Sequence, residues 1–308
     1  LTGLALLEAH KSNNSKPLLC SNQPSGTLLT GLAALGAILM WSVMALLTVK
    51  LPTVPPFFLT GSTLLLGGLI SLPKIRAWSW NTRFILVGAG AVFLYQFLLF
   101  IALRSSPAIE CNLINYLWPL LIVLLTPVFE RQIRLKWFHI LGGLMGFAGA
   151  IIAIYNQSGS VNNGGYPPSV GTGFYWGYLL ALGAALTWAT YSLYMKRFTH
   201  ISAWTMGLVC IISGIFSLSG SVISGESIRL GRVDILYLII IGLGPLGLSF
   251  YLWNYAMKDA DPRKIGTLAY LAPILSTVWL SLGTGLPLNA GLLIALGLVV
   301  TGAILGRR

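Results

Sequence analysis

Apolar stretches of membrane-crossing length recur along the whole chain, separated by short polar breaks. They cover residues 26–49, 55–73, 83–103, 109–129, 137–155, 174–195, 203–223, 234–257, 264–283 and 288–306. A helix of about 20 apolar residues spans a hydrocarbon layer of roughly 30 Å. Backbone groups in lipid must be satisfied within their own segment, and no short alternating pattern suggests a barrel, so the stretches predict helices. The expectation is an all-α polytopic membrane protein with ten transmembrane helices.

The pattern also repeats. Adding 154 to the residue number lays Gly88 and Gly90 on Gly242 and Gly244, Ala102 on Ala256, Tyr116-Leu117 and Pro119 on Tyr270-Leu271 and Pro273, and Gly143 on Gly297. The first span of each half aligns at a shift of 147, which pairs Leu35-Gly36-Ala37 with Leu182-Gly183-Ala184, Trp41 with Trp188 and Lys50 with Arg197. Each half therefore holds five spans. An odd number of crossings sends the second copy back through the membrane the other way up, which predicts two inverted five-helix repeats with a substrate site between them near mid-membrane. The expected organisation is a tail over 1–25, a first repeat over 26–155, a linker over 156–173 and a second repeat over 174–308. The linker is uncharged and rich in Gly, Asn and Pro. The other connections are short and leave no room for a soluble catalytic or receptor module.

Composition agrees with this reading: 56% of residues are hydrophobic and 8% charged, and the mean hydropathy is +0.82. The net charge of +12 would suit nucleic-acid binding only if the cations formed a patch. They do not. With the amino terminus inside, 15 of the 19 Lys and Arg residues fall on the cytoplasmic side, leaving Lys50, Arg104, Arg229 and Arg232 opposite. The positive-inside rule thus places both termini in the cytoplasm. Residues 1–25 lack a basic region ahead of an apolar one and contain the polar run Lys11–Lys16, so they read as a cytoplasmic tail and not a secretory signal. Gly142 with Gly146, Gly173 with Gly177 and Gly302 with Gly306 have the spacing of helix-packing faces.

Candidate chemistry is defined first by what is missing. No Asp or Glu lies well inside a span, and His10, His139 and His200 lie in the tail or at span ends. Buried carboxylates are the usual basis of proton relays and sodium sites; Glu110, at the start of the fourth span, is the nearest exception, and a helix N-terminal acid favoured by the dipole is the better explanation of it. Cys20, Cys111 and Cys210 are odd in number and widely spaced, which predicts neither a disulfide framework nor a zinc site. No His, paired-carboxylate or metal-ligand constellation supports an enzyme, and no cofactor is expected.

Aromatic and amide side chains occupy mid-span positions instead: Trp41, Tyr95 with Gln96, Asn115, Tyr116, Trp118, Trp188, Tyr191, Trp253, Asn254 and Tyr270. Trp78, Trp80, Trp137, Trp176 and Trp204 sit near span ends, where a membrane-interface belt explains them. Core packing and substrate contact are both open for each deep aromatic taken singly; their recurrence in both halves favours substrate contact. A buried Asn needs partners, so Asn115 is expected to face a neighbouring helix or a wet cavity. Pro119 and Pro273 each remove a backbone donor and free the carbonyl one turn earlier, offering polar groups to a zwitterion without a charged side chain.

The run Asn115-Tyr-Leu-Trp-Pro119 with Glu110 before it, Trp41-Ser42, Trp188-Ala-Thr-Tyr191 with Lys196 after it, Trp253-Asn254 and Tyr270-Leu-Ala-Pro273 resembles the aromatic amino acid exporters of the EamA group within the drug/metabolite transporter superfamily. The resemblance spans roughly residues 26–308. It implies a bacterial inner-membrane exporter of small molecules, aromatic amino acids first, with a central cavity lined by spans 1, 3, 4, 6, 8 and 9 and with spans 5 and 10 at the outside. A multidrug or other metabolite carrier, a passive channel and an intramembrane enzyme are the rival readings.

Overall fold

The computed structural model describes residues 24–106, 108–158, 176–284 and 290–306, and every regular element among them is helical. Most of the expected tail and linker, and the side chain of Glu110, lie outside the described residues. The helices are α1 (Pro24–Val49), α2 (Pro56–Leu69), α3 (Thr82–Ser105), α4 (Ala108–Asn115), α5 (Trp118–Phe129), α6 (Trp137–Ser158) and α7 (Trp176–Met195). Beyond them come α8 (Met206–Ile223), α9 (Arg232–Leu243), α10 (Ser249–Asp259), α11 (Pro262–Ala269), α12 (Leu271–Thr284) and α13 (Ala290–Gly306).

Among the described residues, five stretches are long and apolar enough to cross a bilayer by themselves: Leu28–Thr48, Thr82–Leu103, Ala203–Ile223, Arg232–Asp259 and Pro262–Gly283. Pro56–Leu69, Trp118–Phe129, Trp137–Ile152 and Leu293–Leu305 are apolar but shorter. The expectation of uninterrupted spans is therefore corrected, and the reasons are local. The helix predicted over 55–73 stops at Leu69, and a 3-10 turn over Leu72–Ala77 carries the chain on past Pro73. The span predicted over 109–129 breaks between Asn115 and Trp118, because Pro119 has no N–H to return to the carbonyl of Asn115. The break between α11 and α12 falls at Tyr270, the residue that the shift of 154 pairs with Tyr116, and Pro273 supplies the same cause. Pro245 acts differently: α9 and α10 join through a π-turn over Gly244–Leu248, entered at Gly244 with non-helical backbone angles.

The outward faces are apolar. Leu86 is 66% exposed, Ile223 85% and Leu293 72%, as suits a surface in contact with acyl chains. Contacts between helices rest on small residues. A Cβ on Gly67 would fall 2.6 Å from the Cα of Gly247, and one on Gly302 would fall 2.6 Å from the carbonyl oxygen of Gly142. The Gly142 and Gly146 spacing thus marks the seam between α6 and α13, a packing role.

The helix packing has an exchange pattern. α2 packs on α8, α6 on α13 and α5 on α11; α3 on α7 answers α10 on α1, α5 on α7 answers α12 on α1, and α3 on α8 answers α9 on α2. With α4 and α5, α9 and α10, and α11 and α12 each counted as one span, swapping the two halves of the chain maps each pairing onto itself or onto its answer. Two groups follow from these contacts, α3–α4–α5–α7 and α9–α10–α11–α12–α1, flanked by the pairs α2·α8 and α6·α13. At one end of the bundle Glu226 accepts hydrogen bonds from the backbone N–H groups of Phe57 (3.2 Å) and Phe58 (3.0 Å), satisfying the N-terminus of α2 after Pro55 and Pro56.

Candidate functional site

The breaks and the π-turn surround the middle of the bundle, and the aromatic side chains converge there. Trp41 of α1 lies at the centre of a cluster, 5.7 Å from Trp188, 6.2 Å from Trp118 and 5.1 Å from Trp253 between ring centroids. Trp118 meets Trp253 edge-on at 5.6 Å, and Phe250 packs on Trp188 at 5.5 Å. Edge and tilted contacts set the positive rim of one ring against the negative face of another, and each contributes about 0.5–1.5 kcal/mol beyond burial.

Above this cluster, toward the end of the bundle where α1 and α3 finish, lies a partly open cavity of about 200 Å³. Seven of the eleven mid-span residues singled out in the sequence line it: Trp41, Tyr95, Gln96, Asn115, Tyr116, Trp118 and Trp188. Met44, Leu99, Leu246, Phe250 and Ala272 complete the wall, and among the described residues no charged side chain contributes. Asn115 is 5% exposed, and its Nδ2 donates to the Tyr95 hydroxyl at 3.3 Å, tying the end of α4 to α3. Its Oδ1 has no partner among the described residues.

The other four sit elsewhere. Trp253 is 1% exposed and forms part of the floor, its Nε1 donating to Ser192 Oγ at 3.0 Å. Tyr191 lies one turn beyond Trp188, with its hydroxyl on Met206 Sδ at 3.3 Å. Asn254 reaches the same sulfur through Nδ2 at 3.8 Å, and its Oδ1 is unpartnered and buried. Tyr270 is fully buried in a separate cluster with Leu120, Ala150 and Val299, where a Cβ at Gly146 would collide with its ring. Tyr116 and Tyr270 are thus equivalent by sequence and unlike in surroundings.

Sequence reading passed over Phe250 and Leu246, whose place in the wall depends on the π-turn, and Trp279, whose Nε1 donates to Ser42 Oγ at 3.0 Å and joins α12 to α1. Of the tryptophans expected at the membrane interface, Trp80, Trp137 and Trp176 are 72%, 70% and 75% exposed. Trp78 is instead half-buried and donates to Ser71 Oγ at 3.1 Å.

On the far side of the aromatic floor, where α5, α7 and α10 end, the two groups of helices meet through cations. Lys196 Nζ donates to the carbonyl of Ala260 at 2.6 Å and pairs with Glu130 at 3.1 Å. Lys258 donates to the carbonyl of Ile201. Arg263 donates to the carbonyl of Arg134 at 3.0 Å and is held at 2.7 Å by Asp261, which also caps α11. Close packing of α11 on α5 completes the closure, for a Cβ on Gly266 would lie 2.9 Å from the carbonyl oxygen of Pro119.

Helices with an apolar exterior around an uncharged internal cavity define a multi-pass membrane protein that handles a small molecule. The chain belongs to the EamA-like transporter family, whose profile matches residues 28–155 and matches again over 175–306. It is 33% identical over 276 residues to the "Aromatic amino acid exporter YddG" of Ancylobacter novellus, covering 87% of this chain and 93% of that one. The protein of the same description from Salmonella typhimurium is 24% identical, covering 74% of this chain and 77% of its own. A solved crystal structure at 33% identity superposes with a TM-score of 0.80, covering 92% of this chain and 96% of the other. The protein is a membrane transporter.

Proposed function

We propose that the protein is a bacterial inner-membrane carrier that exports amino acids, aromatic ones first, by alternating access between two inverted five-helix repeats with both termini in the cytoplasm. The observation that carries this reading is the uncharged cavity walled by Trp41, Tyr95, Trp118, Trp188 and Phe250, with Asn115 as its buried polar group. Rings and amides accept an aromatic side chain and orient its polar end without selecting a net charge. The volume of about 200 Å³ lies below the roughly 300–1,000 Å³ of drug-sized pockets, which favours an amino acid over a bulky drug. The relatives described as aromatic amino acid exporters support the same substrate class.

Support for inverted repeats comes from the exchange pattern of the helix contacts and the twofold match of the family profile. In this topology the cavity opens to the outer side, and the cations at the ends of α5, α7 and α10 close the cytoplasmic side. Counterflow of labelled phenylalanine in proteoliposomes is the test. Saturable exchange competed by tyrosine and tryptophan is expected; linear flux points to a channel, and competition by planar drugs alone points to a multidrug carrier.

A further inference from the structure

Two side chains beyond the aromatic floor lack the partners that burial demands, and they are neighbours. Lys258 is 7% exposed, yet no carboxylate among the described residues comes within ion-pair distance: Glu130 is engaged by Lys196, Asp261 by Arg263, and the adjacent Asp259 acts on it only through longer-range charge. Its ammonium is satisfied only by the carbonyl of Ile201. Asn254, one turn earlier on α10, is 3% exposed and holds an acceptor oxygen with no donor. Positions four apart stand side by side on a helix face, roughly 5–6 Å between Cβ atoms. A buried cation without a counter-ion and a buried acceptor without a donor each carry a desolvation cost. One ligand that carries both a carboxylate and an ammonium on a single carbon would satisfy the two together.

The location gives this meaning. Lys258 sits at the end of α10, in one group of helices, and Ile201 follows α7, in the other. Separation of the two groups at this end breaks that bond and leaves the ammonium facing the opening. The geometry points to Lys258 and Asn254 as a zwitterion-reading site for α-amino acids entering from the cytoplasm, Lys258 taking the carboxylate and Asn254 Oδ1 the ammonium. This rests on the alternating-access export proposed above and adds to it a site distinct from the aromatic cavity. It also makes the bond to Ile201 a stand-in: in the state with this end closed, the carbonyl occupies the cation that substrate takes when the end opens.

The test is uptake of labelled phenylalanine into inside-out membrane vesicles, where substrate meets the cytoplasmic face, for the wild type, Lys258→Gln and Lys258→Arg. Gln keeps a donor for the Ile201 carbonyl while removing the charge, so folding is preserved. The expected result is a KM raised about tenfold in Lys258→Gln, the factor set by about 1.4 kcal/mol, with the maximal rate little changed and Lys258→Arg close to wild type. Unlabelled phenylalaninamide, which lacks the carboxylate, competes more weakly than phenylalanine against the wild type, and Lys258→Gln abolishes that difference. A change in maximal rate alone, or an unaltered preference for phenylalanine over its amide, assigns Lys258 to closure only and overturns the site. A wild type that moves no phenylalanine overturns the export reading and the site with it, whereas normal wild-type uptake with an insensitive Lys258→Gln overturns the site alone.

Discussion

At the scale of single residues, the tryptophans divide by depth. Trp118 is 5% exposed and touches Trp41, Trp188 and Trp253, whereas Trp80 is 72% exposed and packs only on Trp78 among aromatic rings. Trp118→Ala and Trp188→Ala are therefore expected to lower phenylalanine counterflow about tenfold, as loss of a few ring contacts requires. Trp80→Ala should leave it nearly unchanged, and equal effects would argue against the cavity as the substrate site. Asp261 supports a different prediction. Burial pushes its carboxyl up, but hydrogen bonds and charge from Arg263, with Lys264, outweigh burial and hold it below the ordinary range. A depressed carboxyl stabilises the fold above its unfolded value, near pH 4, and that contribution is lost as pH falls through the folded value. Asp261→Ala should cost about 1 kcal/mol at neutral pH through the lost cap, and the difference from wild type in thermal unfolding should shrink below about pH 4.

At the scale of elements, proline determines the site. Pro119 separates α4 from α5 and leaves Asn115 at a helix end beside the cavity, where its Nδ2 can meet Tyr95. Pro119→Ala restores the missing donor and favours one continuous helix. Transport should fall severalfold, while hydrogen exchange around residues 115–118 should slow; unchanged exchange would mean that tertiary contacts, not the missing N–H, hold the break. The same reasoning was legible in the sequence for Pro273 because the repeat places it opposite Pro119. Pro245 was not legible in this way. Its counterpart under the shift of 154 is Ala91, in the unbroken helix α3, and whether a proline yields a kink or a π-turn is settled by what packs around it. Here α2 lies close against the turn, for a Cβ on Gly67 would fall 2.6 Å from the Cα of Gly247.

At the scale of the whole molecule, closure at the end carrying Glu130, Lys196 and Lys258 depends on the absence of a side chain at Gly266. A Cβ there meets backbone at 2.9 Å, so α5 and α11 must part. In a Cys20→Ser, Cys111→Ser background, Gly266→Ala should therefore speed maleimide labelling of the buried Cys210 from the face that carries this end severalfold. No change would show that the seam relaxes elsewhere. The sequence by itself determined the class of protein, since apolar length and the scarcity of charge leave a chain few ways to satisfy its backbone except as helices in lipid. It also showed the duplication, which is written in spacing, and marked Pro119 and Pro273 as places where a missing donor frees a carbonyl, although the breaks themselves appeared only in the structure. Only the tertiary structure decided which aromatics meet. Tyr116 and Tyr270 share a position in the repeat, yet Tyr116 lines the cavity and Tyr270 fills the seam under Gly146. The same packing left Lys258 without an ion-pair partner and the oxygen of Asn254 without a donor among the described residues, since contact between distant helices, which no local pattern encodes, decides what a buried polar group finds beside it.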